Sequence, residues 1–144
     1  MSATYPKVVS ALTAAFQTVN DASLDLPVQW PNMAVVPPSD GPWASFDILP
    51  SEPRVATLGV RGEDEFTGVA QITLNYPLQK GTKEINAAYE TLRAFFVAGK
   101  FLTFEDTSVT VLQCGITPPR KSDSTLKCFV SVYWRARIQR PTIT

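Results

Sequence analysis

The 144-residue sequence predicts an α+β domain: a mostly antiparallel or mixed β-sheet packed by two α-helices, with one long inter-strand loop. Three observations carry that prediction. Two segments repeat their apolar residues at three-and-four spacing, the period of a helix, and four alternate with period two, the pattern of half-buried strands. Between them run proline-rich stretches with neither period, and the order is helix, strands, helix, strands, without repeats or low-complexity tracts. At this length the chain fits a single domain, 1–144, large enough to bury a core.

The first helix is expected over about 5–20, where Tyr5, Val8, Val9, Leu12, Phe16 and Val19 form one stripe. Pro6 suits its first turn, where a missing N–H costs nothing. Leu26 to Pro42, "LPVQWPNMAVVPPSDGP", has no clear period and reads as a surface crossing pinned by Trp30. A strand follows at about 43–49, "WASFDIL". Pro50 to Glu65, "PSEPRVATLGVRGEDE", reads as a long connection carrying Arg54, Arg61, Glu63, Asp64 and Glu65. A loop that long inside a compact domain is functional or disordered.

The next strand, about 66–76, sets Phe66, Ala70, Ile72, Leu74 and Tyr76 against Thr67, Gln71, Thr73 and Asn75, and Pro77 ends it. In the second helix, about 82–98, the stripe is Ile85, Ala88, Tyr89, Leu92, Phe95 and Phe96. Thr82 is placed to cap its start and Gly99 to close its end, while Glu84 and Lys100 match the sign of the helix dipole. Strands at about 108–116 and 125–138 flank the polar "TPPRKSDS". Symmetric pairing about that connection sets Cys114 opposite Cys128, Leu112 opposite Val130 and Ile116 opposite Leu126, all on one apolar face. The two cysteines then read as a packed, reduced core pair, too few for a disulfide framework and without metal spacing.

Thirteen basic and thirteen acidic residues cancel, so no global field draws in a polyanion. The cancellation hides an asymmetry: Arg120 to Arg140 holds six basic residues and one acid, Asp123, leaving seven and twelve elsewhere. Such a split suits docking to further copies or to a polar partner in a fixed orientation. The N-terminal segment lacks the continuous apolar run of a signal peptide and no stretch reaches membrane-span length, so the expectation is a soluble, cytoplasmic chain.

The sequence has no histidine, which removes the commonest general base and metal ligand. It also lacks a nucleophile elbow, a phosphate-binding loop and a dinucleotide fingerprint, so no catalytic residue, cofactor site or metal site is expected. Glu63-Asp64-Glu65 reads as a solvated turn in preference to a cation site, and Glu105-Asp106 as a turn. The closing strand "SVYWRARIQRP" has an apolar side, Val132, Trp134, Ala136 and Ile138, and a basic-aromatic side with Tyr133, Arg135 and Arg137. Three readings of that second side stand: an ordinary solvent face, a subunit contact, or a platform for single-stranded nucleic acid.

In the order and spacing of its parts the chain resembles the small tail terminator proteins of long-tailed, non-contractile bacteriophages. The likeness covers most of the chain. It lies in the N-terminal helix, in "VQWPNMAVVPPSDGPWASFDILPSEPRVATLG", in "FTGVAQITLNYP", in "GTKEINAAYETLRAFFVAG" and in the closing "FVSVYWRARI". The resemblance implies a virion tail protein, assembled in the host cytoplasm as a ring, typically hexameric. Such a ring caps the tail tube, stops its polymerisation and offers a joining surface to a head-completion or neck protein. It implies no enzyme activity, no cofactor, no membrane and no specific nucleic-acid binding. On that reading Arg54, Arg61, Glu63, Asp64, Glu65, Tyr133, Arg135 and Arg137 are candidates for subunit or tube contacts, with the Pro50–Glu65 loop projecting from the body. A different head-tail connector, a tail tube subunit and a nucleic-acid module are the alternatives.

Overall fold

The computed structural model describes residues 3–33, 41–122 and 125–142. In chain order the elements are α1 (Tyr5–Val19), a π-helical turn (Asn20–Leu24), β1 (Val28–Gln29), β2 (Trp43–Pro50), β3 (Arg54–Val55), β4 (Glu63–Pro77), α2 (Lys83–Phe95), β5 (Phe101–Phe104), β6 (Thr107–Ile116), β7 (Arg120–Ser122) and β8 (Thr125–Gln139). The strands form one eight-stranded sheet of order β1-β2-β4-β8-β6-β5, with β3 added beside β4 and β7 beside β8. The β1–β2 pair is parallel and the remaining pairs are antiparallel, which gives the α+β class that the sequence predicts.

The sheet is organised around β4 and β8, which pair along their whole fifteen-residue lengths. Period-two alternation sends Ala70, Ile72 and Leu74 of β4 and Val130, Val132, Trp134, Ala136 and Ile138 of β8 into the core. Both helices cover that side: α1 buries Val8, Ala11, Leu12, Phe16 and Val19, and α2 buries Ile85, Ala88 and Leu92. Burying a large apolar side chain contributes about 1.5–3 kcal/mol, so this interlayer core is what holds the fold. Trp30 pins the crossing segment as expected, its ring edge-on to Phe16 and Phe46, which stack on each other at 5.0 Å. Residues 34–40 of that segment lie outside the described residues. The opposite side of the sheet meets no helix among the described residues and carries Thr67, Val69 and Gln71 of β4 with Tyr133, Arg135 and Arg137 of β8.

The helix ends follow local chemistry. The Thr4 hydroxyl accepts the Lys7 N–H at 3.4 Å to open α1. Beyond its far end the Asn20 amide bridges both backbone groups of Leu26, and Asp25 reverses the chain at φ 51°. Thr82 occupies the N-cap position of α2 but makes no side-chain cap bond. That helix stops at Phe95, short of 98, because the chain must turn back to β5, which it does through Gly99 at φ 90°. Lys100 Nζ donates to the Phe95 carbonyl at 2.9 Å and sits 3.5 Å over the Phe95 ring, so its charge does serve the helix C-terminus.

Two expectations are corrected. Pro50–Glu65 is not an irregular loop throughout: β3 pairs with β4, and Glu63–Glu65 lie inside β4, opposite Gln139–Arg137 of β8. Acidic residues are poor strand formers in isolation, but here Glu65 lies between Arg54 of β3 and Arg137 of β8. The closing hairpin also has another register, with Ile116 opposite Val130 and Cys114 opposite Val132. The chain reverses between Ser122 and Thr125, not at the middle of the polar connection, because Arg120–Ser122 pair back onto β8 as β7. A bulge between Val111 and Gln113 then turns Leu112 outward to 42% exposure. Cys114 and Cys128 are both free thiols but not cross-strand partners, since on the β6 edge of β8 Cys114 lies opposite Val132, four residues beyond Cys128.

Candidate assembly surface

The antiparallel pairing of β4 with β8 places the acidic start of one strand beside the basic end of the other. In one row across the sheet Arg54, Glu65 and Arg137 are neighbours, and Arg135 Nε lies 3.7 Å from Glu65 Oε1. Glu65 thus forms a ridge between two grooves. One, of about 740 Å³, is lined by Glu63, Phe101, Ser108, Arg135 and Arg137. The other, of about 660 Å³, is lined by Ser51, Glu52, Pro53, Arg54 and Thr67. Tyr133 stands further along the same face, exposed and opposite Val69.

The acidic triplet does not act as a unit. Strand alternation leaves Glu63 and Glu65 on the open face and turns Asp64 to the other side, so the three carboxylates cannot converge on one cation. Asp64 instead meets Arg140, whose Nη1 donates to its Oδ1 at 2.5 Å, with both side chains 21% exposed. The same guanidinium donates to the Glu63 carbonyl (3.1 Å), to the Gly59 carbonyl from Nε (3.2 Å) and Nη2 (2.6 Å), and to the Thr57 carbonyl. The Arg140 N–H donates to the Gly62 carbonyl at 2.9 Å. This planar fork of donors holds the β3–β4 connection closed from inside. Gly62 is required there, since a Cβ would strike Arg140 and the carbonyls of Thr57 and Leu58.

Arg140 is a residue that period-two reading misses, because it follows the end of β8 and its partners lie more than seventy positions earlier. The clamp presents a tip on which Leu58 is 91% and Val60 75% exposed, beside exposed Arg61. The signal for that tip is in the sequence, as two aliphatic residues, Leu58 and Val60, on either side of Gly59 in "TLGVRG".

The charge split seen along the sequence is therefore not a split in space at this end of the molecule. Arg135 and Arg140 pair with Glu65 and Asp64 of the same chain. A cluster of positive charge lies at the other end of β8, where Arg120, Lys121 and Lys127 gather on the β7–β8 hairpin and make no ion pair among the described residues. At the near end of α1, Lys7 Nζ meets Asp106 (2.7 Å) and Glu105 (3.3 Å) in the β5–β6 turn. The hydrogen bond to Asp106 raises the pKa of Lys7, and in return Lys7 lowers that of Asp106.

Neither thiol is activated in this arrangement. Burial pushes the Cys114 and Cys128 thiols up from 9.0 to about 11, which keeps them protonated near neutrality. Among the described residues no three metal-ligating side chains cluster. No helix among them is long and apolar enough to cross a membrane.

Comparison with known proteins agrees with the residue-level resemblance. The family model for phage tail terminator protein matches residues 7–134. A solved structure 21% identical in sequence superposes with a TM-score of 0.69, over 88% of this chain and 94% of that one, which speaks for the fold alone. No curated protein matches.

Proposed function

The chain belongs to the phage tail terminator protein family, a structural component of the bacteriophage tail, and from that premise we propose that it works as a closing ring. Single-domain copies, which catalyse no reaction and hold no cofactor, assemble in the host cytoplasm into a closed ring, hexameric by family precedent. The ring seats on the tube of a long non-contractile tail, ends its polymerisation and presents a joining surface to a head-completion or neck protein.

The observation that carries this reading is the side of the sheet that meets no helix among the described residues. It is a broad face mixing exposed Phe101, Phe129 and Tyr133 with the Arg135–Glu65 pair, the composition of a protein contact. Arg54, Arg61, Glu63, Glu65, Tyr133, Arg135 and Arg137 are the proposed contact residues, and Asp64 supports them through its pair with Arg140. The internal Arg135–Glu65 pairing weakens the nucleic-acid alternative, because it spends charge that a phosphate would need.

Electron microscopy of the purified chain, alone and added to growing tails, tests the proposal. Closed rings that leave tails at a fixed length support it. Open stacks support a tube subunit instead, and tails of unregulated length in the presence of the chain refute it.

A further inference from the structure

Two apolar features of this chain lack an occupant among the described residues, and their shapes are opposite. The first is the clamped tip with Leu58 and Val60. Exposed aliphatic side chains on a loop are unremarkable when the loop is loose, but here Arg140 Nε and Nη2 donate to the loop carbonyls of Thr57 and Gly59, and Nη1 ties the same guanidinium to the Glu63 carbonyl and the Asp64 carboxylate. A knob held in shape before contact loses little entropy on docking.

The second is a cleft of about 460 Å³ between the end of α2 and β6, with walls formed by Val97 and Leu112 and a floor reaching Phe96 and Cys114. Leu112 faces outward only because the β6 bulge turns it there, and Val97 beside the cleft is 53% exposed. A bulge that re-aims one aliphatic residue toward a second exposed one builds an apolar slot at the expense of ladder hydrogen bonds.

The tip cannot fill the slot of its own chain. It lies beyond Glu63, which is in register with Gln139, whereas the slot is at Gln113, in register with Tyr133. Six residues of strand separate those rows, about 20 Å, and two strand spacings add about 10 Å sideways. Knob and slot on one chain, placed apart, make a head-to-tail contact, the type that generates a ring when its rotation closes.

We propose that Leu58 and Val60 of one copy insert into the Val97–Leu112 slot of the next copy. The rim adds a charge match. Arg61 beside the knob makes no ion pair among the described residues, and Glu90 on the rim is held only by an exposed i,i+3 pair with Arg93 that is easily exchanged. The inference rests on the ring reading above and names the contact that closes it.

The test uses the full chain. Leu58→Ser with Val60→Ser changes only exposed side chains, so the monomer folds normally by circular dichroism while self-association weakens about tenfold to a hundredfold in sedimentation. Leu112→Glu blocks the slot, with the same expected loss. Mixing the tip variant with the slot variant leaves one good tip and one good slot, so dimers form and rings do not. In a Cys114→Ser background, Val60→Cys together with Gln113→Cys gives a ladder of linked copies on oxidation, and each single variant gives none at that position. If the wild type forms rings and the tip variant forms them equally well, this contact is wrong and the ring stands. If rings persist but the tip variant no longer caps tails, the knob belongs to the tube contact and the proposal is overturned. A wild type that never associates, with or without tails, overturns both.

Discussion

Replacing Arg140 with alanine is the perturbation whose size the structure determines best. The side chain makes five donor contacts, three to the exposed carbonyls of Thr57 and Gly59 and two to the half-buried Glu63 carbonyl and Asp64 carboxylate. Water replaces the exposed ones at little net cost. The half-buried pair is different, because its loss leaves a carboxylate with one-fifth exposure without its cation. A hydrogen bond to a charged group contributes about 1.5–3 kcal/mol, so Arg140→Ala is expected to cost about 2–4 kcal/mol. The loss falls first on the hairpin that the residue clamps. Amides of Ala56, Thr57 and Gly62, now donating to Glu63 and Gly59 carbonyls, should exchange with solvent at least about thirtyfold faster, while those in mid-β4 stay protected. Urea unfolding gives the global part, and a cycle with Asp64→Asn isolates the pair, with an expected coupling of about 1–3 kcal/mol. Arg140→Lys should recover little, since a point charge cannot span carbonyls on both sides. A change under about 0.5 kcal/mol with unaltered exchange at Thr57 and Gly62 refutes the clamp.

Three further outcomes follow from the packing. Gly68→Ala should cost about 1–3 kcal/mol in urea unfolding, because a Cβ there lies 2.7 Å from both the Leu49 carbonyl and the buried Trp134 ring and 2.9 Å from Pro50 Cα; an unchanged midpoint contradicts it. Both thiols should resist reagent in the native chain and react once unfolded. Unfolded thiols ionise from 9.0 and folded ones only near 11, so the unfolded chain holds fewer protons in between and stability falls as pH rises through that window. The fall is at most about 2.7 kcal/mol for fully buried Cys128 and less for half-buried Cys114, and alanine at both should flatten it. Glu63→Ala with Glu65→Ala should weaken association while leaving the unfolding midpoint within about 0.5 kcal/mol, whereas adding Asp64→Ala should destabilise the monomer through the lost Arg140 pair.

The fold was legible where one residue's direction depends only on its neighbours in sequence. Val132, Trp134, Ala136 and Ile138 alternate into the core as their period demands, and Ile85, Ala88 and Leu92 face it at helical spacing. What depends on partners distant in sequence was not legible. The hairpin register shifted because Arg120–Ser122 could find a partner in Thr125–Lys127, and no local pattern distinguishes that from a loop. The bulge at Leu112 breaks period two at one residue, so the sequence pattern places Leu112 inside when it lies outside. Of the candidate contact residues, the sequence brought Tyr133, Arg135 and Arg137 to one face but could not show that Glu65 would stand among the arginines. The charge asymmetry misled for the same reason, since antiparallel pairing folds the basic end of β8 onto the acidic start of β4.

The most direct test of the account is the mass distribution of the purified chain across a wide concentration range, read together with images of the same samples. The account predicts one closed species of fixed subunit number that grows no further as concentration rises. Continuous growth into stacks or filaments, or a monomer that leaves tail length unregulated, contradicts it.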